Sequence, residues 1–133
     1  MAKPRIAFVC THNARRSQMA EAIANHLGGD IATFLSAGTE IAERVDPLAR
    51  EAVFNLFGIV MDDDYRPKLI EETLPVDLII TMGCDVACPA TVSKGREDWK
   101  LTDPTGGSIQ VFEASAKDIY EHVLGLVDQV KQR

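Results

Sequence analysis

Two short apolar runs, Arg5-Ile6-Ala7-Phe8-Val9 and Asp77-Leu78-Ile79-Ile80-Thr81-Met82, constrain this chain more than any other feature. Neither alternates in polarity, so each strand must be covered on both faces, as strands of a parallel sheet are. A third strand is expected over Ala32 to Ser36. Helical patterns fill the intervals. Ser17 to Leu27 places Met19, Ala20, Ile23, Ala24 and Leu27 on one face and ends at Gly28-Gly29. Asp46-Pro47 reads as an N-cap followed by proline at the first helical position, with Leu48, Ala52, Val53 and Leu56 lining the helix and Gly58 stopping it. The last helix is expected to start near Ser115, with Asp118 completing a partial capping box and Ile119, Val123, Leu126, Val127 and Val130 as its apolar stripe. Strands alternating with helices predict an α/β fold, a parallel sheet with helices on both faces. In such folds ligands bind at the carboxyl ends of the strands, and Cys10 and Cys84 lie just past two of those ends.

The 133 residues suit a single domain over residues 1–133. A net charge of −6 without a basic run argues against a nucleic-acid partner, which would require clustered Lys and Arg. No apolar run is long enough to span a membrane, and the N-terminus lacks the pattern of a secretory signal, so a cytoplasmic protein without a membrane partner is expected. The three cysteines, Cys10, Cys84 and Cys88, are an odd number in a reducing compartment. That leaves metal ligation, catalysis or inert packing rather than a disulfide framework.

The segment Val9-Cys10-Thr11-His12-Asn13-Ala14-Arg15-Arg16-Ser17 joins a strand to a helix. If it wraps round, the backbone N–H groups of residues 11–16 point at one centre, and the helix start adds its positive end. Arg16 closes the ring with a planar fork suited to a tetrahedral oxyanion. That field favours the thiolate of Cys10, to which Ser17 can donate a hydrogen bond. Asn13 tolerates the left-handed backbone such a loop needs. The expected anion-binding residues are therefore Thr11, His12, Asn13, Ala14, Arg15, Arg16 and Ser17. The competing reading is a buried cysteine at a strand end with Arg16 as a surface charge.

The stretch Cys-Thr-His-Asn-Ala-Arg-Arg-Ser-Gln-Met-Ala-Glu, residues 10–21, resembles the phosphate loop of low-molecular-weight protein tyrosine phosphatases. It looks still more like the thiol-dependent arsenate reductases built on that fold, which carry Gln where the phosphatases usually have Pro, here Gln18. Ser36-Ala37-Gly38, the strand at 77–82 and Asp103-Pro104 extend the resemblance over most of the chain. It implies a single-domain, three-layer α/β/α fold with a four-stranded parallel sheet, and no bound cofactor beyond an external thiol reductant. Position 15 departs from the pattern: it is Arg where many relatives carry a second loop cysteine. Some reductases of this fold bind potassium near the loop. Asn13, Glu21 and Ser36 match part of that ligand set, and Asp62, Asp63 and Asp64 mark the region expected to supply the rest.

Cys84 and Cys88 follow the strand at 77–82, four residues apart, with Gly83 permitting a sharp exit. What the residues themselves offer is three thiols, two at strand ends and one nearby. The resemblance implies a relay: Cys10 attacks arsenate, Cys84 attacks Cys10 with loss of arsenite, and Cys88 recovers Cys10 by forming Cys84–Cys88. Thioredoxin is the first expectation for the reductant, with glutaredoxin and glutathione second. Zinc on Cys84, Cys88, Cys10 and His12, and inert packing, are the other readings of these thiols. Asp103, held before Pro104, is the candidate acid or base, a role carried mainly by the resemblance. Thr105 stands where the phosphatases commonly place an aromatic wall for phosphotyrosine, and Trp99 reads as packing.

His12, His26 and His122 are expected to be surface side chains, and Arg66-Pro67-Lys68 a solvated turn. Three functions compete: arsenate reductase, phosphomonoester phosphatase, and a thiol sensor or anion-binding module without turnover. Monomer is the expected state for a domain of this size.

Overall fold

A computed structural model describes residues 3–83 and 95–132. Cys84 and Cys88 lie outside the described residues, as does any zinc site built on them. Strands β1 (Arg5–Cys10), β2 (Thr33–Gly38), β3 (Leu78–Thr81) and β4 (Gly95–Asp98) form one parallel sheet in the order β2-β1-β3-β4. Among the described residues the helices are α1 (Arg16–Gly28), α2 (Pro47–Phe57) and α3 (Ile109–Lys131), with a 3-10 turn at Ile70–Glu72. The four-stranded parallel α/β architecture expected from the sequence is the one observed.

β1 shows why its run is continuous. Ile6, Phe8 and Cys10 face a core shared with all three α-helices, whereas Ala7 and Val9 face a smaller cluster with Ala37, Ile70, Val76 and Ile79. Both faces are dry, so no polar residue is tolerated on either. Among the described residues, the second face is covered by the 3-10 turn and its flanks. Arg5 pins that cover, donating from Nε to Pro75 O at 2.9 Å and from Nη2 to Thr73 O at 3.0 Å.

The helix limits follow local chemistry. Asp46 Oδ1 accepts from Leu48 N at 2.9 Å at the start of α2, Pro47 opens that helix, and Gly58 ends it in the left-handed region, as the sequence indicated. The expected start of α3 at Ser115 is wrong: the helix begins at Ile109, and its buried stripe extends back through Ala116 to Phe112. The residue before it, Ser108, makes no side-chain capping bond, and Ile109-Gln110-Val111-Phe112 reads locally like a strand, so the true start gave little signal. Asp118 is no cap; its carboxylate lies 3.5 Å from His122 Nδ1. β4, Gly-Arg-Glu-Asp, was not foreseen because it is a polar edge strand without an apolar pattern.

The register brings the ends of β1, β2 and β3 together. Cys10 pairs with Gly38, and Val9 with both Ala37 and Thr81. At Gly38 the next loop passes so close that a Cβ would lie 2.6 Å from Thr11 O. Gly38→Ala should therefore displace the loop after Cys10 and destabilise the fold by about 2 kcal/mol in urea unfolding, an overpacking cost. An unchanged midpoint would contradict this close approach.

Candidate active site

The loop between β1 and α1 turns its carbonyls outward. Thr11 O accepts from Thr39 N and Glu40 N at 3.0 and 2.9 Å, His12 O from Ala42 N at 3.0 Å, Ala14 O from Asp46 N at 2.9 Å and Arg15 O from Met19 N at 2.9 Å. Asn13 O accepts from Gln18 Nε2 at 3.1 Å. In a trans peptide the N–H points opposite to the preceding carbonyl. Tying the carbonyls of residues 11–15 outward therefore directs the amides of residues 12–16 inward. None of the amides of residues 11–16 donates to another described residue. No side chain caps α1 at Arg15, so its first-turn donors also stay available to an anion.

Inside this ring lies a cavity of about 130 Å³ lined by Cys10, Thr11, His12, Ala14, Arg15, Arg16, Asp103 and Thr105. Cys10 is buried, with Sγ 2.9 Å from Ser17 Oγ. The direction of that bond follows from its neighbours. Lys68 N donates to Asn13 Oδ1 at 2.9 Å, which fixes the Asn13 amide, and Asn13 Nδ2 then donates to Ser17 Oγ at 2.8 Å. The Ser17 proton is left for the sulfur. Asn13 holds φ at 54°, the left-handed backbone expected of it.

Arg16 is buried and divides its donors. Nη1 serves Met82 O and Leu101 O, the latter at 2.9 Å, tying the cradle to the exit of β3 and to the Asp103 loop. Nη2 lies 3.7 Å from Asp103 Oδ2. The Nε and Nη2 edge remains as the fork for an oxyanion. Burial by itself would raise the Asp103 carboxyl. The Thr105 hydroxyl and amide bonds, with the charges of Arg16 and Arg15, outweigh burial and hold the carboxyl below its ordinary value. Asp103 is thus an ionised carboxylate at neutral pH.

Several expectations are revised. Arg66-Pro67-Lys68 is not simply a solvated turn. Lys68 Nζ lies 3.4 Å from Glu21 Oε1 and 3.4 Å from Ser36 Oγ, with both partners of the ion pair largely buried. Of the partial cation set, Glu21 and Ser36 converge, Ser36 Oγ donating to Glu21 Oε1, and the positive charge beside both is the Lys68 ammonium; the Asn13 side chain instead bonds Lys68 N, Gln18 and Ser17. Asp62, Asp63 and Asp64 are exposed. His122 is half-buried against Trp99, ring centroids 5.0 Å apart, rather than simply facing solvent. Trp99 packs on Phe8 as expected. His26 is exposed. His12 is exposed too and borders the cavity, with Nδ1 bonded to Glu40 O at 2.9 Å. Since a carbonyl only accepts, Nδ1 carries the proton.

Sequence reasoning missed three supports of the loop. Gln18, buried, donates from Nε2 to Asn13 O, Asn13 Oδ1 and Arg66 O. Lys68 fixes Asn13, and Asp46 binds Arg15 Nε at 2.9 Å. Gln18 was visible only as a departure from Pro, and the others are distant in sequence. Among the described residues, no group of three or more His, Cys, Asp or Glu side chains is placed to hold a metal ion, and no helix is long and apolar enough to cross a membrane.

Comparison with known proteins agrees with this geometry. The family model described as low molecular weight phosphotyrosine protein phosphatase matches residues 5–133. A glutaredoxin arsenate reductase from Synechocystis is 32% identical over 95% of this chain and 98% of its own length. An arsenate reductase from Bacillus cereus is 34% identical over 91% of this chain and 92% of its own. Among solved structures, an arsenate reductase in the phosphate binding state superposes with a TM-score of 0.85 at 32% identity, covering 96% of this chain and 98% of that one.

Two outcomes test the site. Lys68→Met leaves Glu21 without its cation in a largely buried position and should cost roughly 3 kcal/mol of stability in urea unfolding. A loss under about 0.5 kcal/mol would show the pair to be only a surface contact. For Asp103, the lowered carboxyl means stability that is present above the ordinary aspartate range and is lost as pH falls through the lowered value. The stability difference between the wild type and Asp103→Asn should therefore be present at neutral pH and vanish in acid. A difference that persists in acid would mean the Asp103 carboxylate is not held by these contacts.

Proposed function

We propose that this chain, which belongs to the low molecular weight phosphotyrosine protein phosphatase family, reduces arsenate to arsenite. The observation that carries the choice of substrate is the rim of the cavity: among the described residues no Phe, Tyr or Trp lines it. The cavity is small and ringed by amides, two arginines and a thiol, and Thr105 offers no aromatic wall for an aryl ester. An inorganic tetrahedral oxyanion meets every requirement of such a site. The relatives named as arsenate reductases support the same reading.

Chemistry begins with Cys10. Its thiolate sulfur attacks arsenic, an S–As bond forms and an arsenate oxygen leaves as water. The ring of amides and the Arg16 fork hold the remaining oxygens as charge shifts among them. Asp103, ionised at rest, takes up a proton that arrives with the thiol or the oxyanion and returns it to the leaving oxygen. A bound dianion raises the proton affinity of the neighbouring carboxylate, which suits that exchange.

Reduction follows by thiol exchange. The thiolate of Cys84 attacks the sulfur of Cys10 and the S–As bond breaks. Its electron pair passes to arsenic, which leaves as arsenite, and a Cys10–Cys84 disulfide remains. Cys88 then attacks Cys84, forming Cys84–Cys88 and freeing Cys10. An external dithiol reduces that pair at the cost of its own oxidation. Support for the relay comes from the backbone just before it: Arg16, the cradle arginine, bonds Met82 O, two residues ahead of Cys84. Thioredoxin is our first choice of reductant and glutaredoxin with glutathione our second. The relatives divide on this point: the Synechocystis protein is named for glutaredoxin, and a Corynebacterium glutamicum structure is named thioredoxin-dependent.

Serine variants separate this reading from a phosphatase. Cys10→Ser should abolish both arsenite production and hydrolysis of an aryl phosphate. Cys84→Ser and Cys88→Ser should abolish arsenite turnover yet leave aryl phosphate hydrolysis within about twofold, since removing a group used only in the second chemistry spares the first. Arsenite formation by Cys84→Ser at the wild-type rate, with either reductant system, would remove the relay.

A further inference from the structure

We propose that Arg15 is a second oxyanion-binding guanidinium, which grips the bound anion from the side opposite Arg16. The inference takes the oxyanion from the reading above but depends only on anion binding, not on reduction.

The geometry of Arg15 is that of an aimed side chain. Its Nε donates to Asp46 Oδ2 at 2.9 Å. Asp46 is itself a fixed post: its Oδ1 caps α2 by accepting from Leu48 N, and its own N–H donates to Ala14 O. One edge of the guanidinium is thereby held, while Nη1 and Nη2 have no acceptor among the described residues. The side chain lines the cavity at Cys10 and also the adjoining open groove of about 450 Å³, so it stands as the wall between them. Its charge reaches across the cavity, contributing with Arg16 to keeping Asp103 ionised.

Charge balance shows why a second guanidinium is useful. As the anion arrives, a thiolate, a doubly charged oxyanion and the Asp103 carboxylate bring four negative charges to one small cavity, three once Asp103 has taken up its proton. Arg16 offsets one of them, and its Nη1 is already committed to Met82 O and Leu101 O. Its remaining edge reaches at most two oxygens of a tetrahedral anion. Unspent Nη donors on Arg15 supply both the missing charge and contacts to an oxygen that Arg16 does not reach. A cysteine at this position, which the resemblance assigns to many relatives, offers neither.

The test is inorganic phosphate binding by the full chain, measured by calorimetry at low and high salt, alongside steady-state arsenate kinetics. Arg15→Gln should weaken phosphate about tenfold at low salt, the loss expected for one charge-assisted contact, and should flatten the salt dependence. The KM for arsenate should rise in step while kcat changes by less than about threefold. Arg15→Lys, which keeps the charge, should recover most of the affinity. Asp46→Asn, which loosens the post but keeps the guanidinium, should weaken phosphate far less than Arg15→Gln. Phosphate binding by Arg15→Gln that equals wild type overturns the proposal. So does an equal loss in Asp46→Asn and Arg15→Gln, which would make Arg15 only a clamp on α2. Should Arg15→Gln fail to fold, wild-type affinity and salt dependence in an Arg15→Met variant, or no recovery in Arg15→Lys, decide against it. A wild-type chain that binds phosphate but forms no arsenite would remove the reductase reading and leave this inference standing.

Discussion

The outward turn of five successive carbonyls, from Thr11 to Arg15, is the constraint on which the rest of this structure depends. Each is held by a donor from elsewhere: Thr39 and Glu40 after β2, Ala42, the Gln18 side chain, Asp46 and Met19. Peptide planarity then fixes the opposite ends of the same units, so donors collect on the inside without any charge being spent to hold them there. Backbone donors without protein partners are costly to leave unmet, and a fold that turns five in sequence to one centre, unpaired among the described residues, is suited to an occupant that accepts from them. The inward aim of these amides is a property of how neighbouring segments grip the loop from outside.

That grip explains the placement of otherwise unrelated residues. Gly38 lacks a side chain because Thr11 O and Asn13 pass over it. Gly83, with φ at 89°, lies where a Cβ would meet the backbone of Leu101, and Leu101 O is one of the two carbonyls that Arg16 binds. Lys68 works at both ends: its amide orients Asn13, and its ammonium is held between Glu21 and Ser36. The orientation passes from Lys68 N through Asn13 and Ser17 to the sulfur of Cys10, each donor leaving the next group one choice. The Cys10 thiol at a strand end is in this way connected to a segment nearly sixty residues away.

How much of this the sequence disclosed depended on the range of the interactions. Cys10, Asn13, Arg16 and Ser17 lie within one loop, and their chemistry can be reasoned from spacing and residue type alone. So can α2, whose cap, proline and terminal glycine are local. Asp46 was read correctly as a helix cap, but its second oxygen serves Arg15, a long-range pairing that no local pattern encodes. Lys68 in Arg-Pro-Lys looks like any exposed turn until Glu21 and Ser36 are brought beside it. The start of α3 was missed because Ser108 forms no capping bond and the first turn is rich in β-formers, so tertiary packing of Phe112 and Ala116 overrode local preference.

Family members that hydrolyse phosphate esters and those that reduce arsenate share a cradle because phosphate and arsenate have the same shape and charge. The cradle therefore cannot decide between the two reactions; what surrounds it must. A phosphatase needs a wall that binds the organic part of its ester and a water to attack the sulfur-bound phosphoryl group. A reductase needs an open path for a second sulfur to reach the first, and electrons from outside. Thr105 donates to Asp103 rather than forming an aromatic wall, so the carboxylate is oriented by its own loop and not by a substrate ring. Arg16 joins the cradle to Met82 O, in the strand exit two residues before Cys84. In the proposed relay, substrate binding and thiol delivery would then depend on one guanidinium, and its planar shape, with one end for the carbonyls of Met82 and Leu101 and one edge for an anion, is what a lysine at position 16 would lack.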